Sequence, residues 1–273
     1  CLTRQDVLDY HASRYVPNNV VLSIAGDVDA AEILSHLELL VEDLKSRPLN
    51  REPIPHEPHQ FGSRRVRKEF AVPYSKLHLA WRLPCSAHPD TPALSALSSI
   101  LGGGRSARFY EKFHDRLGLV YSIEVHSNQS ETDEGAFTIS MDVDRAQRDK
   151  VRDLVLQELR NLAEEDFTED LKRVCKQTRV SRLRRRSSAS GVASEMGADW
   201  FGSRNLNLSS EWQEAIERVT TEDLHRVCST WLSSPNVTEV SLDPPGSNAG
   251  DEERASASAG TALSEHVLGN GMK

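Results

Sequence analysis

The sequence predicts an α+β fold in which long helices pack on a mostly antiparallel sheet, in two layers. Apolar and polar residues alternate over 77–83, as expected of a strand with one buried face. A second pair of alternating stretches, 120–125 and 137–143, is joined by a polar turn and predicts a hairpin. Beyond residue 146 the apolar residues instead follow the period of an α-helix.

Composition limits the class of protein. The 273 residues, 38% hydrophobic and 27% charged, suffice for one full domain and part of another. The formal net charge is -8 and no long basic face with interleaved aromatic residues occurs, so nucleic acid is not an expected partner. No apolar run approaches the roughly 20 residues that cross a bilayer, so no membrane span is expected. The four cysteines form no Cys-x-x-Cys pair, which favours buried free thiols.

The first 47 residues predict a helix, a strand and a second helix. Thr3 can cap a helix that Pro17 ends. The apolar run 20–25, closed by Gly26, is typical of a strand buried on both faces. Asp29 then caps a helix with one apolar stripe.

A polar stretch rich in Pro and His, 48–63, predicts a linker and a domain boundary. After it, Phe70 and Val72 indicate one strand and the alternation over 77–83 indicates the next. Asp90 can cap a helix that ends at a run of three glycines, Gly102, Gly103 and Gly104.

Three further helices are predicted in the second half of the chain. They cover 146–165, 169–200 and 221–232, and the last leads into a strand over 237–242. Together with the strands before them, they complete the layer of helices on the sheet.

An internal repeat relates the two ends of this arrangement. A shift of 217 positions, which places Thr3 on Thr220, aligns Leu2, Thr3, Gln5, Asp6 and Val7 with Val219, Thr220, Glu222, Asp223 and Leu224. The same shift places Asn19 and Val20 on Asn236 and Val237. We interpret the two copies as the closing elements of two similar domains, the first of which is mostly missing.

Two groups of residues carry a resemblance to pitrilysin-type (M16) zinc metallopeptidases. One is Tyr15, Pro17, Asn18 and Asn19 followed by Val21, Leu22, Ala25, Gly26 and Asp27, which resembles the end of that family's first domain. The other resembles the signature of its second domain, and consists of 101–105, Arg108, Tyr110, 117–119, Tyr121 and Ser122. The resemblance covers nearly the whole chain and implies an M16-like (LuxS/MPP-like) fold.

The resemblance implies the following domain organisation within the family's N-terminal half. Residues 1–47 end a first domain, 48–63 form a linker and 64–244 form the whole second domain. Residues 245–262, rich in Ser, Ala and Gly, form a flexible linker, and 263–273 open the next half.

For such enzymes the family implies two similar halves that close around an unfolded peptide, with zinc in the first domain. The metal is held by two His and a distant Glu, in a His-x-x-Glu-His motif whose Glu is the base. None of the ten histidines forms such a pair, and the nearest match, 56–59, has the wrong spacing. We therefore expect no catalytic and no metal-binding residue in this chain, and zinc elsewhere in the parent protein.

The family also implies an Arg and a Tyr, seven residues apart in the half opposite the zinc, that stabilise the oxyanion. Tyr121 matches that Tyr, but His114 stands in the place of the Arg. Both are candidates for substrate contact, as are Gly102, Gly103 and Gly104. The alternatives are a packed aromatic residue for Tyr121, a surface histidine for His114 and a helix C-cap for the glycines.

A basic cluster, Arg182 and 184–186, has two possible interpretations. It could bind an acidic substrate or partner, or form a solvated face of ion pairs on a long helix.

Two functional hypotheses follow from the resemblance. In the first, the chain is the non-catalytic second domain of a zinc metalloendopeptidase that encloses and cleaves unfolded peptides, and its partners are the remaining domains, or a homologous half, and the peptide. In the second, it belongs to a catalytically inactive structural or assembly subunit of the same fold, similar to the core proteins of respiratory complexes.

Overall fold

The computed structural model of the chain describes residues 2–49, 57–129, 134–233 and 235–245. The predicted start of a further unit at 263–273 and most of the predicted linker 245–262 lie outside the described residues. No described helix is both long enough and apolar enough to cross a membrane.

One five-stranded sheet organises the described residues. Its strands are β1 (Arg64–Glu69), β2 (Ser75–Leu83), β3 (Val120–Asn128), β4 (Gly135–Val143) and β5 (Thr238–Asp243). They lie in the order β1-β5-β2-β4-β3. Among the described strands only the β1–β5 pair is parallel, so the predicted mostly antiparallel α+β fold is confirmed.

The six described α-helices that follow β2 pack together over one face of this sheet, whereas the two that precede β1 have no buried residue. In chain order the helices are α1 (Arg4–Arg14), α2 (Ala30–Val41), α3 (Thr91–Gly102), α4 (Arg148–Asn161), α5 (Thr168–Arg185), α6 (Ala189–Ser203), α7 (Leu208–Glu217) and α8 (Thr221–Val227). Two π-helical turns follow α3 and α8 along the chain, at Tyr110–Arg116 and Cys228–Leu232. Helix α3 is the central one, since it contacts β3, α5, α7 and α8.

The strict alternation of β2 and β4 places the core. Leu77, Leu79, Trp81 and Leu83 of β2 are buried, and so are Phe137, Ile139, Met141 and Val143 of β4. The residues between them are half-buried or exposed and form the opposite face of the sheet. The predicted hairpin of β3 and β4 is confirmed, with an antiparallel register.

The first and last predicted helices begin as the sequence indicated. Thr3 and Thr220 both form capping boxes, in which the threonine side chain accepts a hydrogen bond from the backbone N–H three residues later. Asp29 also caps α2 through its carboxylate. The repeat at a spacing of 217 residues therefore extends to the local structure of the two helix N-termini.

The predicted strand over 20–25 is wrong for this structure. The segment is extended but pairs with no described strand, and Val20 and Leu22 are exposed. An apolar run forms a strand only beside a partner, because its backbone N–H and C=O groups need one.

The predicted position of the first strand, at Phe70 and Val72, is also wrong. The strand is β1, a run of mostly charged residues over Arg64–Glu69, whereas Phe70 lies just beyond it and is exposed. Charged residues are tolerated because β1 is an edge strand, where side chains reach solvent. Arg65 Nε in addition donates to the buried carboxylate of Glu239 at 2.9 Å.

The long helix predicted over 169–200 is two helices. Helix α5 ends at Arg185, and Ser188 caps α6 by accepting a hydrogen bond from the N–H of Gly191. Helix α7 lies outside the predicted elements.

Asp90 precedes α3 but does not cap it with its side chain, since the carboxylate binds Arg226 and accepts from Trp231 Nε1 at 2.9 Å.

The cysteine prediction is partly confirmed. Cys85, Cys175 and Cys228 are free thiols, but only Cys228 is fully buried, and burial raises its pKa to about 12. Cys1 lies outside the described residues.

A buried ion pair joins α4 to the end of β5. The guanidinium of Arg148 binds the carboxylate of Asp243, and both side chains are almost completely buried. The hydroxyl of Ser75 on β2 donates to the same carboxylate at 2.6 Å. The pair therefore ties one helix to two strands of the sheet.

We predict that Arg148→Met destabilises the chain by about 3–5 kcal/mol, because it leaves the carboxylate of Asp243 buried without its cation. The measurement is urea unfolding followed by circular dichroism. The control is Lys76→Met, which removes one partner of the exposed pair Lys76–Asp142 and should cost at most ~1 kcal/mol. Equal losses in the two variants would contradict this role of the buried pair.

Candidate functional site

The run of three glycines lies at the C-terminal end of α3, and local structure requires glycine at two of its positions. Gly104 has a φ of 102°, a left-handed conformation that favours glycine. Gly102 lies against β3, where a Cβ atom would stand 2.5 Å from the backbone nitrogen of Val125. The N–H of Gly103 donates to the carbonyl of Ser99 at 2.9 Å and closes the helix. The glycine turn is thus a helix end packed tightly on β3, and its contact with substrate stays a prediction.

His114 lies in the π-helical turn Tyr110–Arg116, which packs on β3. Its imidazole stacks on the ring of Tyr110, with the ring centres 4.3 Å apart. Nδ1 lies 2.7 Å from a carboxylate oxygen of Asp115, and the side chain is partly exposed. His114 therefore combines an accessible ring with an acidic neighbour.

Tyr121 lies at the start of β3, and 49% of the residue is exposed. Its ring packs on Tyr74, with the ring centres 4.0 Å apart. Desolvation raises the pKa of the phenol, and the nearby carboxylate of Asp144, which accepts its hydrogen bond, raises it further. The hydroxyl is thus a protonated donor that already has an acceptor. How His114 and Tyr121 act on substrate stays a prediction.

The side of the sheet opposite the core carries polar residues that no sequence motif marks. Register places His78, Ser140 and Glu124 in one row across β2, β4 and β3, and Ala80, Thr138 and His126 in the next row. We call these six residues the open face. His78 Nδ1 lies 2.8 Å from the hydroxyl of Ser140, and desolvation lowers the pKa of His78. The polar positions of the alternating strands could have revealed this face in the sequence, because paired residues share a side of the sheet.

The described residues do not fit a zinc site. No three His, Cys, Asp or Glu side chains among them are grouped so that they could hold a metal ion. A zinc ion needs at least three such protein ligands, and His78, His126 and Glu124 of the open face are not among any group so arranged, so the described residues do not offer the ligand set of metal-assisted hydrolysis.

Comparison with known families settles the classification. The family model described as the peptidase M16 inactive domain matches residues 2–177, which is well over half of the chain. The chain belongs to the M16 peptidase family. The family resemblance predicted from the residues around the glycine turn and Tyr121 is therefore confirmed.

Three curated relatives are similar to the chain over most of its length. The chain is 24% identical over 250 residues to the zinc protease PqqE of Helicobacter pylori. The aligned region covers 89% of this chain and 55% of the relative. An uncharacterized zinc protease of Rickettsia felis is 23% identical, with 85% and 55% covered. The mitochondrial-processing peptidase subunit alpha-2 of Dictyostelium discoideum is 26% identical, with 85% and 53% covered. The M16 chain therefore spans about half the length of these relatives.

Solved structures show the same fold. A protease from Helicobacter pylori superposes with a TM-score of 0.80 at 24% identity, over 89% of this chain and 60% of that chain. The peptidase M16 inactive domain from Pseudomonas fluorescens superposes with a TM-score of 0.75 at 20% identity, over 90% and 58% of the two chains.

We predict that Gly102→Ala destabilises the chain by about 1–3 kcal/mol, although Ala is the better helix former, because the new methyl group meets the backbone of Val125. Thermal or urea unfolding measures the loss. Gly62→Ala is the matched control, since a Cβ atom there meets nothing within 4 Å, and it should stay within ~0.5 kcal/mol of the unchanged chain. Equal stability of both variants would show that α3 can move away from β3 without cost.

Proposed function

We propose that this M16 chain forms a non-catalytic wall of a zinc metalloendopeptidase that encloses and cleaves unfolded peptides. The observation that carries the proposal is the match to the inactive domain of M16 peptidases in a chain whose described residues offer no group of metal ligands. Relatives named zinc proteases are about twice as long as the match. Zinc and its ligands then belong to the parent protein outside these residues.

The domain organisation is part of the proposal, and the internal repeat supports it. Val7 of α1 aligns with Leu224 of α8, yet Val7 is 57% exposed and Leu224 is 0% exposed. Likewise Tyr10 aligns with Val227 and Tyr15 with Leu232, and in both cases the first copy is exposed and the second is buried. Equivalent apolar residues thus have a core in the second copy and none in the first among the described residues.

The extended segment 20–25 shows the same contrast. Its counterpart in the repeat overlaps β5, which lies between β1 and β2 and pairs with both. We infer that 1–47 end a first domain whose sheet lies elsewhere in the parent protein, and that 64–244 form the second domain. This first domain is the principal partner of the chain.

Peptide contact is assigned to the side of the sheet that carries the open face. The open face offers hydroxyl, imidazole and carboxylate groups that are half-buried or exposed, which suits hydrogen bonding to a peptide. β3 is an edge strand in the described sheet, and the glycine turn and the π-helical turn with His114 pack beside it. An extended peptide is the class of ligand that such an edge accepts.

The proposal is tested by zinc content and peptidase activity, measured on the full-length protein and on this chain alone. We expect about one zinc per full-length molecule, from the single zinc site of the family resemblance, and cleavage of an unstructured peptide that stops when a chelator removes the metal. The isolated chain should hold no stoichiometric zinc and cleave nothing.

A full-length protein without zinc and without cleavage would instead support the structural or assembly role. Stoichiometric zinc in the isolated chain would contradict the assignment of the ligands to another part of the protein. Elemental analysis and chromatography of the peptide products distinguish these outcomes.

A further inference from the structure

A groove lies between α5 and α7, on the helical side of the domain, and nothing in the proposed peptidase role uses it. Its volume is about 620 Å³, within the range of 300–1,000 Å³ that is usual for ligand sites. Its described lining consists of Arg179, Arg182, Leu183, Arg186, Met196, Leu206, Asn207, Ser210 and Gln213. We call it the arginine groove.

Three arginines line one side of the groove because of their spacing on α5. Arg179 and Arg182 belong to α5 and Arg186 is its C-cap residue with helical backbone angles, and at positions i, i+3 and i+7 the three share one face. Like charges at these spacings repel one another, and a stable arrangement needs anions nearby. Of the basic cluster predicted from the sequence, Arg182 and Arg186 line the groove and Arg184 does not.

Two carboxylates partly balance the three cations. Glu195 Oε1 accepts from Arg182 Nη2 at 3.1 Å and from Arg186 Nη1 at 2.7 Å. Glu217 lies 3.3 Å from Arg179 Nη2. Three positive charges less two negative charges leave a net charge of +1 at the groove.

Glu195 holds the guanidinium groups from behind. Its side chain is only 6% exposed, and its second oxygen is buried with no hydrogen-bond donor from the described residues. Burial opposes its ionisation, but the hydrogen bonds and charges of Arg182 and Arg186 outweigh burial and lower its pKa. The carboxylate thus orients two arginines without facing the groove.

The accessible side of the groove carries cationic groups and neutral polar groups. No acidic residue occurs among the described residues that line it, and the side chains of Arg179 and Arg186 are 63% and 44% exposed. The hydroxyl of Ser210 accepts from Arg182 Nη2 at 2.6 Å, which gives the guanidinium of Arg182 a second anchor beside Glu195. Leu183, Met196 and Leu206 supply apolar surface beside these groups.

We propose that the arginine groove binds a small organic oxyanion, a phosphate or carboxylate group carried on an apolar stem. Guanidinium groups bind both oxyanions through paired N–H donors, and the apolar lining accommodates the stem. The site is separate from the open face, because α5 and α7 pack on α3, which lies against the buried side of the sheet.

The test is isothermal titration of the full-length protein with phenyl phosphate, which combines the oxyanion and the apolar ring. We expect saturable binding that weakens as the salt concentration rises. Phenol lacks the charge and inorganic phosphate lacks the stem, so both should bind more weakly. Phenylacetate is the carboxylate counterpart, and whichever of phenyl phosphate and phenylacetate binds more tightly identifies the preferred oxyanion.

Matched arginine variants locate the site. Arg179→Gln and Arg186→Gln should each raise the Kd for phenyl phosphate by about 3- to 10-fold, the net value of one ordinary hydrogen bond in water, because both side chains are exposed. Arg184→Gln removes the same charge from the same helix outside the groove and should change the Kd by less than ~2-fold. Absence of saturable binding, equal binding of phenol, or an equal loss in Arg184→Gln would overturn the proposal. The zinc and peptidase measurements do not depend on this result.

Discussion

The alternation of strand β2 determines both the core and the exposed chemistry of this domain. Every second residue from Ser75 to Leu83 is buried under the helices, and each residue between them points to the other side. Because β4 pairs with β2 over its whole length, the same division continues across the sheet. A shift of register by one residue would place Trp81 in solvent and His78 in the core, so register alone separates the packing surface from the open face.

Helix α3 makes this division possible by covering the buried side of β3. Its small and branched residues, including Ala93, Ala96 and Ile100, are buried, and Gly102 brings its C-terminus against Val125. The turn that must be glycine for this packing is the same turn that leads to the π-helical turn of His114. The packing of α3 therefore also positions the candidate contact residues, because its close approach to β3 places the π-helical turn at the edge of the sheet.

Elements with strong local signals could be predicted from the sequence. Thr3, Asp29 and Thr220 carry their own capping groups, and in the hairpin β4 alternates regularly while β3 alternates after an irregularity between Val120 and Ser122. β1 could not be predicted from apolar periodicity, because its charges are satisfied by distant partners such as Glu239. The arginine groove depends on three helices coming together, and only the basic cluster on one of them is visible in the sequence. The open face was visible as polar alternation but carried no motif.

The repeat contributes the strongest physical evidence for how the chain is organised. Two copies of one helix and one extended segment share their caps, yet only the second copy has a sheet and a core among the described residues. Exposed apolar residues in the positions equivalent to Leu224 and Val227 are costly in water, since burying such side chains is worth about 1.5–3 kcal/mol each. The first domain proposed for the parent protein would cover these residues and so explain this difference.

Hydrogen exchange of the backbone amides of residues 20–25 tests this account most directly, measured by mass spectrometry on the isolated chain and on the full-length protein. In the isolated chain these amides should exchange rapidly while those of β2 and β4 stay protected. In the full-length protein we expect the segment to become as slow as β5, because it pairs on both edges within the first domain. Rapid exchange of 20–25 in the full-length protein, beside protected β2 and β4, would contradict the assignment of this segment to a second sheet.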